Sequence, residues 1–365
     1  MRRLLLAVLL ALGVLAGDAQ AADRYAFAGG SYALQSVATG QVVAKAADGG
    51  YRTAAGGAEP FRLQATALGR YLLYGTKRDF MGVGSPLPVP VATPGVPLPV
   101  PGLPVPTTTQ GNRVQSVATP SETADWRVTV FGEGFAIDLP AADGKLLTVT
   151  GDGAIVMRDK AAAGRRGQWR FPARGGCPEY PEVALGVSGA PSVGSAPWSA
   201  VRGLVDAHMH MMAFEFLGGR IHCGRPWHPY GAPYALTDCP DHYPNGAGAA
   251  AENVLSYGNP AHLHDPVGWP TFKDWPSYPS LTHEQSYYRW LERSWRAGQR
   301  MFVNLLVDNA VLCELYPLKK NSCNEMDGVR LQARRIHELQ DYIDAQHGGA
   351  RAGSGSSRRR TRPAR

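Results

Sequence analysis

No histidine occurs in the first 207 residues; all ten follow, and four of the five cysteines follow with them. A chain that segregates its metal-ligating side chains in this way reads as one structural half and one chemical half. Cysteine is sparse and never spaced Cys-x-x-Cys, which disfavours a zinc knuckle or a thioredoxin-type site. Beyond residue 21 there is no uninterrupted run of 18 apolar residues, so no transmembrane segment is expected. A basic patch is also missing from the body of the chain. The formal charge is +7, but Arg2 and Arg3 less Asp18 contribute +1 of it, and residues 351–365 carry six arginines and no acid. What remains is near neutral, which excludes nucleic acid as an expected partner.

The two ends have distinct compositions. Arg2 and Arg3, the apolar stretch from Leu4 to Leu15, and Ala19-Gln20-Ala21 form a signal peptide over residues 1–21. A secreted or periplasmic protein beginning near Ala22 is expected. Residues 350–365 contain only Ala, Arg, Gly, Ser, Thr and Pro and cannot build a core. They read either as a disordered basic tail or as a frameshifted end. The second is preferred, because codons exist for residues 352–357 that spell Trp-Phe-Arg-Ile-Val in a shifted frame.

Between these ends the first half repeats itself three times. Gly30-Ser31-Tyr32, Gly69-Arg70-Tyr71 and Gly134-Phe135-Ala136 each open a unit, and Phe61-Arg62-Leu63, Trp126-Arg127-Val128 and Trp169-Arg170-Phe171 each close one. With the uncharged, Pro-rich insert 85–109 set aside, the period is about 40 residues, the length of four short strands. An all-β, β-trefoil-like domain over residues 22–174 is the expectation, with a β-sandwich as the competing fold. It is similar in length and rhythm to ricin-type and fascin-like trefoils. The Gln-x-Trp signature of ricin-type lectins is absent: Glu59, Ala124 and Gly167 stand where the glutamine would be. Carbohydrate binding is thus an expectation of fold rather than of residues. The insert reads as a polyproline spacer, and residues 175–202 as an interdomain linker.

The chemistry is expected in residues 203–349. Gly203-Leu204-Val205 leads into Asp206-Ala207-His208-Met209-His210, and in an extended strand His208 and His210 share a face and can grip one metal ion. A helix is expected to open at Leu281 with Thr282 as its cap and run to Ala297, followed by an apolar strand within residues 299–309. A second helix opens at Asn324-Glu325-Met326, with Val329, Ile336, Leu339 and Ile343 at helical spacing. This order of strand, helix, strand, helix suits an α/β fold.

The Asp206-to-His210 stretch resembles the first-strand motif of the amidohydrolase (metal-dependent hydrolase) superfamily. His222-Cys223-Gly224, Gly268-Trp269-Pro270 and Asn304-Leu305-Leu306-Val307-Asp308-Asn309 extend the likeness toward a secreted, membrane-dipeptidase-like group. The resemblance implies a TIM-barrel-type domain and a divalent metal, with zinc the expected ion, held by His208 and His210. It also implies metal-activated water attacking an amide, peptide or ester bond of a small-molecule or peptide substrate. Asp206, Asp308, Asn309 and His222 are candidates for orienting the ligands or contacting substrate, with a structural cap the equal alternative for Asp308 and Asn309, and no catalytic base is assigned. Membrane dipeptidases carry His-x-Asp where this chain has His-x-His. A full barrel needs about 200–250 residues, and 163 follow Arg202. The expected outcome is an incomplete barrel, truncated and inactive. The alternative function is a secreted module that binds carbohydrate or another surface through the trefoil.

Among the remaining histidines, His262 and His264 form a second His-x-His pair read as loop polar contacts, and His222, His228 and His242 are candidates to line the mouth of the site. Cys223, Cys239, Cys313 and Cys323 are disulfide candidates with three possible pairings, which leaves Cys177 over.

Overall fold

The structure, a computed structural model, describes residues 23–84, 113–142, 144–189, 202–237, 242, 246, 248–275, 279–280 and 282–349. The signal segment, the Pro-rich insert, Cys239 and the arginine-rich tail lie outside the described residues.

Each unit of the first half folds into four strands, and the outer two of each join a barrel. The first unit contains β1 (Ser31–Tyr32) and β2 (Gln35–Ser36), two halves of one broken strand, then β3 (Val42–Lys45), β4 (Tyr51–Ala54) and β5 (Phe61–Ala67). The second contains β6 (Arg70–Tyr74), β7 (Phe80–Val83), β8 (Val114–Val117) and β9 (Asp125–Phe131). The third contains β10 (Gly134–Asp138), β11 (Lys145–Val149), β12 (Ile155–Asp159) and β13 (Trp169–Arg170), with a short helix α1 (Lys160–Ala163) before β13. Antiparallel pairing runs β1–β5–β6–β9–β10–β13–β2, which returns to its starting strand and leaves no open edge. The inner strands form three hairpins, β3–β4, β7–β8 and β11–β12. These meet in a triangle through bridges Gly50↔Gln115, Arg52↔Ala154 and Arg113↔Val156. A six-stranded barrel capped by three hairpins about a pseudo-threefold axis is the β-trefoil topology.

The repeated aromatics explain why three units are needed. Phe61, Trp126 and Trp169 are each 0 % exposed at equivalent points of the barrel and pack with Leu34, Leu63, Tyr71, Val128 and Ile137 in one core. A single unit would leave such a residue in water. Trp126 Nε1 donates to the Met81 carbonyl at 2.7 Å and Trp169 Nε1 to the Leu147 carbonyl at 2.9 Å, so neither buried indole goes unpaired. The arginine beside each tryptophan turns outward: Arg127 pairs with Asp138 in the adjoining strand, and Arg170 faces Glu133 at 3.8 Å.

In the second half, β14 (Leu204–Met209) and β15 (Gln299–Asn304) form a two-stranded parallel sheet. The helices are α2 (Ala232–Ala235), α3 (Ala250–Tyr257), α4 (Tyr288–Arg296), α5 (Ala310–Leu315) and α6 (Glu325–Gln346). Among the described residues no further strand joins β14 and β15, so a TIM-type barrel is not formed there. The sheet keeps exposed apolar side chains, Leu204 at 66 % and Met301 at 54 %. The core of this half lies beneath the long loop instead, where Met211, Met212, Trp227, Trp275 and Tyr287 cluster. As expected, a helix opens at Asn324-Glu325-Met326, and the Asn324 side chain caps it by accepting from the Met326 and Asp327 amides. The helix expected from Leu281 begins only at Tyr288. Thr282 does not cap it: its carbonyl accepts from the Cys223 amide, and this pairing holds residues 282–284 extended and buried.

The C-terminal end of α6 rests on the trefoil. Gln346 donates to the Ala65 carbonyl at 2.8 Å and accepts from Gln64 at 2.9 Å, and Ala345 enters the trefoil core. Tyr180 adds a second contact, its hydroxyl donating to the Tyr230 carbonyl at 2.9 Å while its ring packs on Tyr74 and Phe80.

Candidate functional site

Where the three hairpins converge, the trefoil has a cleft of about 540 Å³, lined in part by Asp48, Tyr51, Arg52, Arg113, Asp152 and Arg158. All three hairpins contribute, because the bridges that close the triangle bring residues 50–52, 113–115 and 154–156 together. Arg113 pairs with Asp48, and Arg52 reaches the Asp152 carbonyl at 3.4 Å. The Gly50 amide and the Arg113 guanidinium hold the Asp48 carboxyl below its ordinary pKa, and the Thr150 hydroxyl does the same for Asp152. The ring of Tyr51 is buried in the floor, and burial pushes its hydroxyl far above the usual range. The result is a polar recess with forked guanidinium donors and ionised carboxylate acceptors over an apolar base.

The second half contains the His-x-His pair. His208 and His210 are exposed at the C-terminal end of β14, with their Nε2 atoms 2.9 Å apart and His210 Nδ1 3.2 Å from the Leu305 carbonyl. Asp206 accepts from the His208 amide at 3.0 Å and so orders the strand end rather than an imidazole. Asp308 accepts from the amides of Leu217 and Asn309, and Asn309 caps α5 by accepting from the Leu312 amide at 2.9 Å. His222 lies beside the Cys223–His283 bridge with Nδ1 buried, and burial lowers it to about 4. Cys313 and Cys323 form a disulfide, Cys223 is also disulfide-bonded, and Cys177 is free. A catalytic zinc takes about three protein ligands and an open position. Among the described residues no third His, Cys, Asp or Glu joins His208 and His210.

A different set of residues does converge. His242, Glu252, His264 and His283 are all buried, and one potential ligand atom from each lies within 4.8 Å of the others. Glu252 sits in the first turn of α3, His264 in the loop beyond it, and His283 in the segment that pairs with Cys223. Glu252 Oε2 is 2.8 Å from His242 Nε2 and 3.6 Å from His264 Nε2, and Oε1 is 3.9 Å from His283 Nε2. The Ser280 hydroxyl donates to Oε1 at 2.5 Å. Burial pushes the Glu252 carboxyl up, but the His242 hydrogen bond, the facing His283 and the Ser280 hydroxyl outweigh it and hold it at about 2. Burial lowers His283 to about 4 and lowers His264 as well. The result is a buried carboxylate faced by three imidazoles.

Sequence reasoning missed this constellation. His242 was a candidate for the mouth of the site, His264 a loop contact, and Glu252 and His283 carried no role. Their separations of 10, 12 and 19 residues match no ligand spacing, and only the density of histidine between residues 242 and 283 marked the region. His262, the partner of His264 in its His-x-His, stacks on Tyr257 with ring centroids 3.8 Å apart and lies outside the cluster.

No protein-family model matches the chain, and no curated protein is similar to it in sequence. Among solved structures it is similar to a designed threefold-symmetric protein, ThreeFoil, at 18 % identity, over 40 % of this chain and 99 % of that one, with a TM-score of 0.29. It is similar to the Rhizoctonia solani agglutinin at 15 % identity, over 40 % and 96 %, with a TM-score of 0.29. An endo-β-galactosidase from Clostridium perfringens shares 10 % identity over 40 % of this chain and 33 % of its own, with a TM-score of 0.30. At these scores the trefoil assignment rests on the chain's own strand order. Nothing in the comparisons supports membership of the amidohydrolase superfamily.

Proposed function

We propose that this is an exported binding protein whose trefoil holds a saccharide in the cleft between the three hairpins. The observation that carries this reading is the recess lined by Arg52, Arg113, Arg158, Asp48 and Asp152 over the buried ring of Tyr51. Arginine forks and ionised carboxylates bond in pairs to neighbouring hydroxyls, and an arginine excess favours sugars bearing a carboxylate. No transmembrane segment is found among the described residues, and the Cys313–Cys323 disulfide suits an oxidising compartment. The test is retention of the full chain on immobilised neutral and uronate-containing polysaccharides. Binding that falls at least about tenfold in Arg52→Ala/Arg113→Ala, roughly 1.4 kcal/mol, with the circular dichroism unchanged, supports the reading. No retention on any polysaccharide, or full retention by the double variant, refutes it.

One observation favours a second reading, metal-assisted hydrolysis of an amide, peptide or ester bond. The His208 and His210 Nε2 atoms converge at the end of a parallel strand pair, as two cis ligands of one ion would. A divalent metal such as zinc, when bound, would activate water there. His208 and His210 would hold it, and the Leu305 carbonyl beside His210 Nδ1 would fix that ring. Two ligands bind weakly, so this reading requires further groups beyond the described residues. Turnover of dipeptide or ester substrates that depends on added metal and is abolished in His208→Ala supports it; its absence with metal in excess refutes it.

A further inference from the structure

The second half is poor in regular structure. Between α2 and α4 the described chain contains one helix of eight residues, yet it buries Trp275, Tyr287 and the His/Glu cluster at exposures of a few per cent or less. Something besides backbone ladders must fix these loops.

Four features of the cluster bear on what that is. The side chains of His242, Glu252, His264 and His283 are 3 %, 1 %, 3 % and 0 % exposed. Among the described residues, neither ring nitrogen of His264 or His283 has a hydrogen-bond partner. An unsatisfied buried polar group is costly, and two adjacent imidazoles in that state need an explanation. Glu252 Oε2 stands 2.8 Å from His242 Nε2 and 3.6 Å from His264 Nε2, on either side of the edge of about 3.3 Å between ligands of a tetrahedral ion with bonds of about 2.0–2.1 Å, and one ligand atom from each of the four residues lies within 4.8 Å of the others. The surroundings also fix the ligands. Ser280 orients the Glu252 carboxylate, and Trp275 packs on the His283 ring at 5.1 Å. Gly246 closes over His264 so tightly that a Cβ there would stand 2.5 Å from Nδ1.

We infer that His242, Glu252, His264 and His283 form a closed, four-coordinate divalent-metal site that staples the irregular loops of the second half. Three imidazoles and one carboxylate form a nitrogen-rich, borderline donor set that suits zinc over magnesium or calcium. With all four positions filled by protein and the site sealed from water, the ion is structural and has no open position for a substrate. The site shares no residue with the His208–His210 pair or with the trefoil cleft, so it stands whether or not either functional reading does. Because its ligands lie between residues 242 and 283, the ion would tie together a stretch of chain that has few backbone ladders of its own.

The experiment uses the full chain purified in the presence of zinc and dialysed. Elemental analysis should give one zinc per chain in His208→Ala/His210→Ala, whatever the exposed pair holds in the wild type, and none when His264→Ala/His283→Ala is combined with it. Chelation should lower the melting temperature by several degrees, and added zinc should restore it. If the cluster variant does not fold, X-ray absorption of the His208→Ala/His210→Ala zinc form decides instead. A shell of three imidazole nitrogens and one oxygen supports the site. A shell with a water-filled position or fewer than three imidazoles overturns it. Zinc-free wild type, zinc lost from His208→Ala/His210→Ala, or a melting temperature indifferent to chelation also overturns it.

Discussion

The side-chain amide of Gln332, on α6, hydrogen-bonds both backbone groups of Val307: its Nε2 donates to the carbonyl at 2.6 Å, and its Oε1 accepts from the amide at 3.2 Å. Gln332 is 0 % exposed. It thus pairs with the backbone as a residue of a neighbouring strand would, just past β15.

Gln332→Leu, which nearly preserves volume but removes both bonds, should leave a buried backbone pair unsatisfied and cost about 1–3 kcal/mol. The denaturant midpoint should fall with its slope unchanged. A midpoint equal to that of the wild type would show that Val307 finds water instead.

The two buried tryptophans of the trefoil should differ from its phenylalanine in a predictable way. Phe61 fills, without an N–H, the place that Trp126 and Trp169 fill in the other units. Trp126→Phe should be tolerated at about 1–2 kcal/mol, the hydrogen bond to Met81 plus a small void, while Trp126→Ala should cost about 3–5 kcal/mol. Equal losses in thermal unfolding for the two variants would contradict the equivalence of the three units.

The second half should weaken in mild acid. His228 accepts from the Tyr230 amide at 3.0 Å through Nδ1, and burial, then the nearby Arg225, lower its pKa to about 4. The unfolded value is about 6.5, so between these pH values the unfolded chain binds the extra proton. Stability is therefore full above about pH 6.5 and falls as the pH drops toward 4, by about 1–3 kcal/mol for this group. His228→Gln should flatten that slope in urea unfolding measured from pH 7 to pH 4; an unchanged slope would assign it to other groups.

The parallel pair β14–β15 exposes Leu204, Val205, Met301 and Val303 at 43–66 %. Unpaired strand edges with such side chains template association. Residues 203–349 expressed alone should form soluble aggregates or show no cooperative transition. Leu204→Lys/Val303→Lys in the full chain should raise the monomer fraction in sedimentation. A monomeric fragment with a sharp melting transition would refute this.

How much of this was legible in the sequence depended on whether the signal was periodic. The trefoil strands follow from glycine–aromatic starts and aromatic–Arg–apolar ends, because each unit must bury an aromatic ring at the same place in the barrel. Asn324 announced α6 because a cap works through local geometry. Thr282 misled for the opposite reason: a long-range pairing with Cys223 overrode a local cap signal. The His208–His210 pair was visible since alternation in a strand is local. The buried cluster was not, since Glu252, His264 and His283 come from a helix start and two loops whose meeting depends on the tertiary fold.

The position of the trefoil cleft sets a limit on valency. Features on the outer face of a threefold barrel occur three times, but a recess on its axis occurs once. A ligand held at Arg52, Arg113 and Arg158 would therefore bind at one copy per chain. A single chain with one such site can adhere to a polymer but cannot bridge two of them. Unless chains associate, it would coat a surface without cross-linking it.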